Sequence, residues 1–249
     1  MRLQGAVALV TGAGRGIGRR TTELLIQLGA QVAAIDINLD SLNSLKERSP
    51  SILPVYCDVS DPDQVTKAVT SVIETLGGID ILINNAGLME SAPLVNLLNR
   101  EQRAHSAEQW RRVLDTNLSS VFYFSSNVAD HLMSRRKKGV IINISSIAAR
   151  GNQGQSAYSA SKAGVEALTR VWGKELARFG IRCAAIAPGF MDTAGAHDAL
   201  EERRLREWIA QVPLRRLGTI DEVVQTILFI IENDFINGAV IQLDGGLTI

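Results

Sequence analysis

The chain has 249 residues, 46% hydrophobic and 21% charged, which is enough apolar mass for a large core and too much for a disordered chain. Lysine plus arginine equals aspartate plus glutamate at 26 each, so no long-range field points to nucleic acid or an anionic membrane. No apolar run approaches the ~18 residues of a membrane span, and the N-terminus MRLQGAVALV enters a strand pattern without a signal-peptide layout, so a cytoplasmic protein is expected.

Short apolar runs alternate with helical patterns: Ala6–Val10, Val32–Ile35, Leu53–Cys57, Ile79–Ile83, Val140–Ile144, Ile181–Ala187 and Ala239–Leu243. This predicts an α/β fold, a single doubly wound domain over residues 1–249 whose seven-stranded parallel sheet has helices on both faces. Cys57 and Cys183 lie inside strand runs without metal-ligand spacing and read as core thiols.

The first unit, AVALVTGAGRGIG, turns through Gly12, Gly14, Gly16 and Gly18. Glycines let a backbone approach a pyrophosphate closely. The helix opening at Arg15–Ile17 offers unpaired N–H groups and a positive dipole end. The spacing is T-G-x-x-x-G-x-G, carried by Gly12, Gly16 and Gly18, rather than G-x-G-x-x-G. Asp36 comes 18 residues after Gly18, at the end of the second strand, where a carboxylate can accept from ribose hydroxyls and repel a 2′-phosphate. Asp58 and Val59 close the third strand, and Asp61-Pro62 is a helix start with Asp61 as cap.

NNAG at 84–87 comes after the fourth strand. Residues 88–109 form a long link in which Asn99–Ser106 read as an inserted, charged loop, either bordering substrate or a subunit contact or making a surface excursion without a role. The helix from about Glu108 has Val113, Leu114, Leu118, Val121, Phe122 and Phe124 as its expected buried face, interrupted by Asn117. NISS at 143–146 ends the fifth strand. Tyr158 and Lys162 then lie four apart, on one face of a helix. An ammonium near a phenol favours the phenolate and lowers its pKa, which suits general acid–base work. Small residues Ala160, Ala163 and Gly164 mark a face that another backbone can approach. After Pro188 and Gly189, residues 194–212 read as a helical lid. Thr219 with Glu222 is a capping-box pattern, and a last strand and a DGG turn finish the chain.

TGAGRGIG, NNAG, NISS and YSASK, in this order, resemble the short-chain dehydrogenase/reductase family over essentially the whole chain. The resemblance implies strand order 3-2-1-4-5-6-7 and a nicotinamide cofactor. It places Asp58 and Val59 at the adenine and Asn84, Ala86 and Gly87 along the cofactor, with Asn84 also bracing the sheet. Pro188 and Gly189 bend under the nicotinamide, and Met191 and Thr193 approach its carboxamide. Tyr158 is implied as the proton donor, with Lys162 on the cofactor ribose and Asn117 kinking its helix and holding a relay water. A serine hydroxyl is implied at the substrate carbonyl. Relatives usually use the second serine of the pair, here Ser146, yet usually count thirteen residues to the tyrosine, which fits Ser145. Strand side chains alternate faces and a loop can drop a residue, so Ser146 is the expected one.

The nearest look is to 3-oxoacyl-acyl-carrier-protein reductases, which implies a carbonyl substrate, in that case an acyl thioester. The alternative is an NAD-dependent dehydrogenase of a secondary alcohol, sugar or steroid-like substrate. Asp36 favours NAD(H). Arg15 pulls toward NADP(H), because relatives using NADPH often carry a basic residue there. No second basic residue accompanies it, since Ile37 and Asn38 come after Asp36. NAD(H) is therefore the expected cofactor and NADP(H) the alternative. Relatives also imply a homotetramer. A non-catalytic dinucleotide-binding protein is disfavoured because Asn117, Ser146, Tyr158 and Lys162 are all present. A serine hydrolase lacks its His base and its G-x-S-x-G.

Overall fold

Continuous runs of valine, isoleucine and leucine suit strands covered on both faces. Seven such strands are β1 (Val7–Thr11), β2 (Gln31–Asp36), β3 (Ile52–Tyr56), β4 (Ile81–Asn84), β5 (Gly139–Ile144), β6 (Ile181–Pro188) and β7 (Val240–Leu243). They form one parallel sheet in the order β3-β2-β1-β4-β5-β6-β7, as the resemblance implies. The computed structural model describes residues 1–192 and 202–247.

Helices α1 (Gly16–Gln27), α2 (Leu39–Lys46) and α8 (Ile220–Glu232) cover one face. There Leu25, Leu42, Ile227 and Ile230 pack on Ala8, Val10, Ile81 and Ile142. Helices α3 (Pro62–Leu76), α5 (Ser120–Ser134) and α6 (Ser156–Glu175) cover the other, where Val65, Val69, Phe124 and Leu132 meet Leu9, Leu82 and Ile141. Alternation along β1 sends Ala8 and Val10 one way and Leu9 the other. Both cysteines are buried and free, and burial pushes each thiol up to about 12, which leaves them inert. Helix ends obey local chemistry. Asp61 Oδ1 accepts the N–H groups of Asp63 and Gln64 beside Pro62. Thr219 and Glu222 cap each other reciprocally.

Three local expectations change. Helix α4 (Ala107–Leu114) joins α5 through a π-helical turn, Asp115–Ser119, so the expected single helix is broken at Asn117. The extra residue in that turn rotates the side chains of α5 about the helix axis. Phe122, expected in the buried face, is 51% exposed, while Val113, Val121 and Phe124 are buried. Gly164 is not open to another chain: a Cβ there would lie 2.9 Å from Leu118 of the same molecule. Ala160 and Ala163 are exposed. Finally, the link after β4 folds back on itself as a short hairpin-like loop closed by a single antiparallel bridge. Val95 bridges antiparallel to Ala104, the Asn96 N–H donates to the Arg103 carbonyl and the His105 N–H donates to the Leu94 carbonyl. The His105 Nδ1 lies 3.0 Å from the Ser106 carbonyl.

Candidate active site

The site is built at the C-terminal ends of β1, β2, β4, β5 and β6. Side by side in a parallel sheet, these ends deliver their loops to one crevice.

The turn after β1 is shaped by close contact. Gly12 has φ +64°, and a Cβ there would lie 2.9 Å from Ala86 Cα. A Cβ on Gly18 would strike the Gly12 carbonyl oxygen. Gly16 has φ +53° and open space beside it. No side chain caps α1, and its N-cap residue Arg15 is extended and exposed. The N–H groups at the helix start, Ile17 among them, are thus available to an anion such as a pyrophosphate. Asn85, which lies among the three site residues expected in NNAG, holds this turn. Its Nδ2 donates to the Thr11 and Gly12 carbonyls, while Thr11 Oγ1 accepts from the Asn85 and Ala86 N–H groups. Sequence reading misses Asn85 and Thr11. Their pairing spans 74 positions and leaves no periodic signal.

Asp36 is fixed. Its Oδ2 accepts the Gly14 N–H at 2.8 Å and its Oδ1 the Asn38 N–H at 3.0 Å. The carboxylate therefore lies against the glycine turn. Asp58 Oδ1 accepts from the Ser60 N–H and hydroxyl, and Val59 beside it is buried. Asn84 is buried and spends its amide on Ser125 Oγ and on Asn143 Oδ1 of the neighbouring strand, so it braces the sheet as expected.

At the end of β5 the two serines separate. Ser145 is buried and turned away from the crevice; its hydroxyl reaches the Lys162 carbonyl and Glu166 Oε1, both at 3.3 Å. Ser146 is half-buried and extended, φ −166°; its Oγ accepts the Ala148 N–H at 3.2 Å and is close enough to the Tyr158 phenol to act on its pKa. Burial pushes the Tyr158 phenol up, and a hydrogen bond with Ser146 pulls it back. The sequence spacing assigns that downward pull to Lys162. Lys162 Nζ lies over the Tyr158 ring, 5.8 Å from its centroid, and donates to the Ile144 carbonyl at 2.7 Å. Lys162 itself is 4% exposed, and burial lowers it to about 8.

Asn117 is fully buried in the π-turn. It exchanges two 2.8 Å hydrogen bonds with the backbone of Leu88 and donates to Ser161 Oγ. Gly87 crosses between these groups: a Cβ there would lie 3.3 Å from Asn117 Oδ1 and 3.7 Å from Lys162 Nζ. Beyond β6, the Gly189 N–H donates to the Leu243 carbonyl, and a Cβ on Gly189 would lie 2.8 Å from Asp244 Cα. Pro188 ends β6 and Met191 bridges to Gly218. Helix α7 (Glu202–Gln211) packs back through Trp208, stacked on Phe190 with ring centroids 4.3 Å apart. Thr193 and the lid's first half, through residue 201, lie outside the described residues.

A family model described as enoyl-(acyl carrier protein) reductase matches residues 12–248. The chain is 40% identical to a 3-oxoacyl-[acyl-carrier-protein] reductase FabG of Thermotoga maritima, over all of both chains. It is 34% identical to the proteins of that name from Buchnera aphidicola and Vibrio cholerae, each over 99% of both chains. The chain belongs to the short-chain dehydrogenase/reductase family. As a member it is an NAD(P)-dependent oxidoreductase acting between a secondary alcohol and a carbonyl. The glycine turn fits the family's nicotinamide cofactor, because Gly12 and Gly18 pack it tightly on Ala86 and the Gly12 carbonyl while the space beside Gly16 and the uncapped start of α1 stay open to a pyrophosphate. No described helix is long and apolar enough to cross a membrane.

The two serines make opposite predictions. Ser146→Ala removes the hydroxyl that faces the phenol and should lower kcat about 10²-fold or more, the cost of one lost oxyanion donor. Ser145→Ala removes a structural hydrogen bond and should cost about 1 kcal/mol of stability with a smaller rate loss. Steady-state kinetics on both variants checks this, and a greater rate loss from Ser145→Ala would reverse the assignment.

Proposed function

We propose that this protein is a 3-oxoacyl thioester reductase working as one unit over residues 1–249, with Asn117, Ser146, Tyr158 and Lys162 as its catalytic set. The observation that carries the reading is the meeting of the Ser146 hydroxyl with the Tyr158 phenol, beside a buried Lys162. The cofactor, when bound, supplies the hydride for the carbonyl carbon. Ser146 holds the carbonyl oxygen and Tyr158 gives it a proton. Lys162, anchored on Ile144, holds the ribose and favours the phenolate left behind. Asn117 pins the loop after β4 over Lys162 through Leu88. The relatives' names support an acyl thioester as substrate. Oxidation of NADH or NADPH with acetoacetyl thioesters, polyols, steroids and cyclic ketones is the test. Turnover confined to the last three classes would move the protein to the alcohol, sugar or steroid reading.

NAD(H) is the proposed cofactor. The Asp36 carboxylate is held by two backbone N–H groups and cannot swing away from a 2′-phosphate. At ~4 Å, each unit-charge pair costs on the order of 1 kcal/mol even at the dielectric of water. Arg15 is exposed and free to point elsewhere. Asp36→Ala should raise kcat/KM with NADPH about tenfold or more, the result of removing that repulsion. A wild-type kcat/KM ratio favouring NADPH would overturn the preference.

We also propose a cytoplasmic homotetramer. Exposed Trp110, Phe122 and Val171 on α4, α5 and α6, and Phe229 on α8, support it as uncovered apolar faces. Light scattering at micromolar concentration should return the mass of four copies. A monomer would rule it out.

A further inference from the structure

The hairpin between β4 and α4 carries large aliphatic side chains in water. Leu98 is 94% exposed, Leu97 73%, Leu94 71% and Val95 54%. Clustered exposed apolar groups mark a binding surface. The hairpin's root lies close to the chemistry. The Ala92 N–H donates to the Gly154 carbonyl at 2.8 Å, Ala92 bridges to Gln155, and Gln155 Nε2 reaches Ser91 Oγ. Gln155 is the N-cap of α6, and Tyr158 comes three residues later. A second tie, Arg112 to Glu90 at 2.6 Å, links the segment leading into the hairpin to α4. The root of the segment is thus braced against the start of α6, the helix that carries Tyr158.

We propose that Leu94, Val95, Leu97 and Leu98 bind the aliphatic tail of the substrate, so that the hairpin makes the enzyme prefer long 3-oxoacyl chains over short ones. This rests on the thioester reading above, which places an alkyl chain on the side of the reacting carbonyl opposite the thioester. Continuity with the site favours the tail over a second copy of the chain as occupant. Burying a methylene is worth up to about fourfold in an equilibrium or rate constant, so six added methylenes half-covered by the hairpin should change kcat/KM by about two orders of magnitude.

The test compares N-acetylcysteamine thioesters of acetoacetate and 3-oxodecanoate, using the wild type and the double variant Leu97→Ser/Leu98→Ser. The wild type should favour the longer substrate by about 10–10²-fold. The serine variant should lose at least about tenfold of that ratio, through a raised KM for the decanoyl substrate. Leu97→Met/Leu98→Met should keep the ratio, and circular dichroism melting confirms that each variant is folded. Equal kcat/KM for both substrates in the wild type, or an unchanged ratio in the folded serine variant, overturns the inference and leaves the thioester reading standing. A smaller assembly in light scattering of the serine variant overturns it too, in favour of a contact between copies. Reduction of neither thioester by the wild type removes the thioester reading, and this inference with it.

Discussion

Tyr158→Phe should abolish turnover while leaving cofactor affinity nearly unchanged. Phenylalanine keeps the ring against its half-buried surroundings and removes only the oxygen that Ser146 contacts. Loss of a positioned general acid costs about 10²–10⁴ in rate. The proposed cofactor contacts are the glycine turn, Asp36 and Lys162, which the substitution does not touch. Fluorescence titration with NADH should therefore give a dissociation constant close to wild type, with kcat at background. Retention of more than a few per cent of activity would remove Tyr158 from the role. The pH profile carries the same information. Burial raises the phenol, so the protonated, donating form persists to higher pH than for a free tyrosine, and reduction should hold up across neutral pH and fall only on the alkaline side.

Lys162→Met should raise stability and destroy activity together. Burial holds the lysine at about 8, below the ordinary lysine range, so the folded state binds its proton less tightly than the unfolded chain. Below about pH 8 the wild type bears the whole cost of the buried cation. Between that value and the unfolded pKa of ~10.4 the cost fades, and stability rises with pH relative to the variant. A shift of this size is worth roughly 3 kcal/mol, offset by about 1 kcal/mol for the Ile144 carbonyl left without its donor. The net gain of about 2 kcal/mol corresponds to about 4–8 °C in Tm for a chain of this size. Melting curves at pH 7 and pH 10 should show the advantage shrinking at the higher pH. A variant less stable than wild type at pH 7 would show that Lys162 is a net stabiliser instead. The expected trade fits a group kept charged for chemistry at the expense of stability.

Much of this protein is legible because its signals are local. Four glycines within seven residues announce a turn that no side-chain-bearing stretch could make, and Gly12 and Gly16 do take positive φ. Tyr158 and Lys162 share a helix face by spacing alone. Uniform apolar runs identify strands covered on both sides, and the caps at Asp61 and Thr219 depend on neighbours within three residues.

The tertiary structure decides whatever depends on partners distant in sequence. Ser145 and Ser146 are adjacent and chemically identical. Only the pairing of β5 with β6 and the packing of α6 send one hydroxyl to Glu166 and the other to Tyr158. Spacing puts Lys162 beside the phenol ring, but only packing gives its ammonium a second partner, the Ile144 carbonyl 18 positions away. Gly164 reads as an open face, yet Leu118 fills it, and Phe122 reads as buried, yet the π-turn rotates it outward. Asn85 holds the glycine turn through bonds 74 positions long, and residues that read as a charged loop form part of a hairpin carrying exposed leucines. A sequence states what each residue can do with its neighbours along the chain. Which distant group it meets is settled only when register and packing place both in one volume.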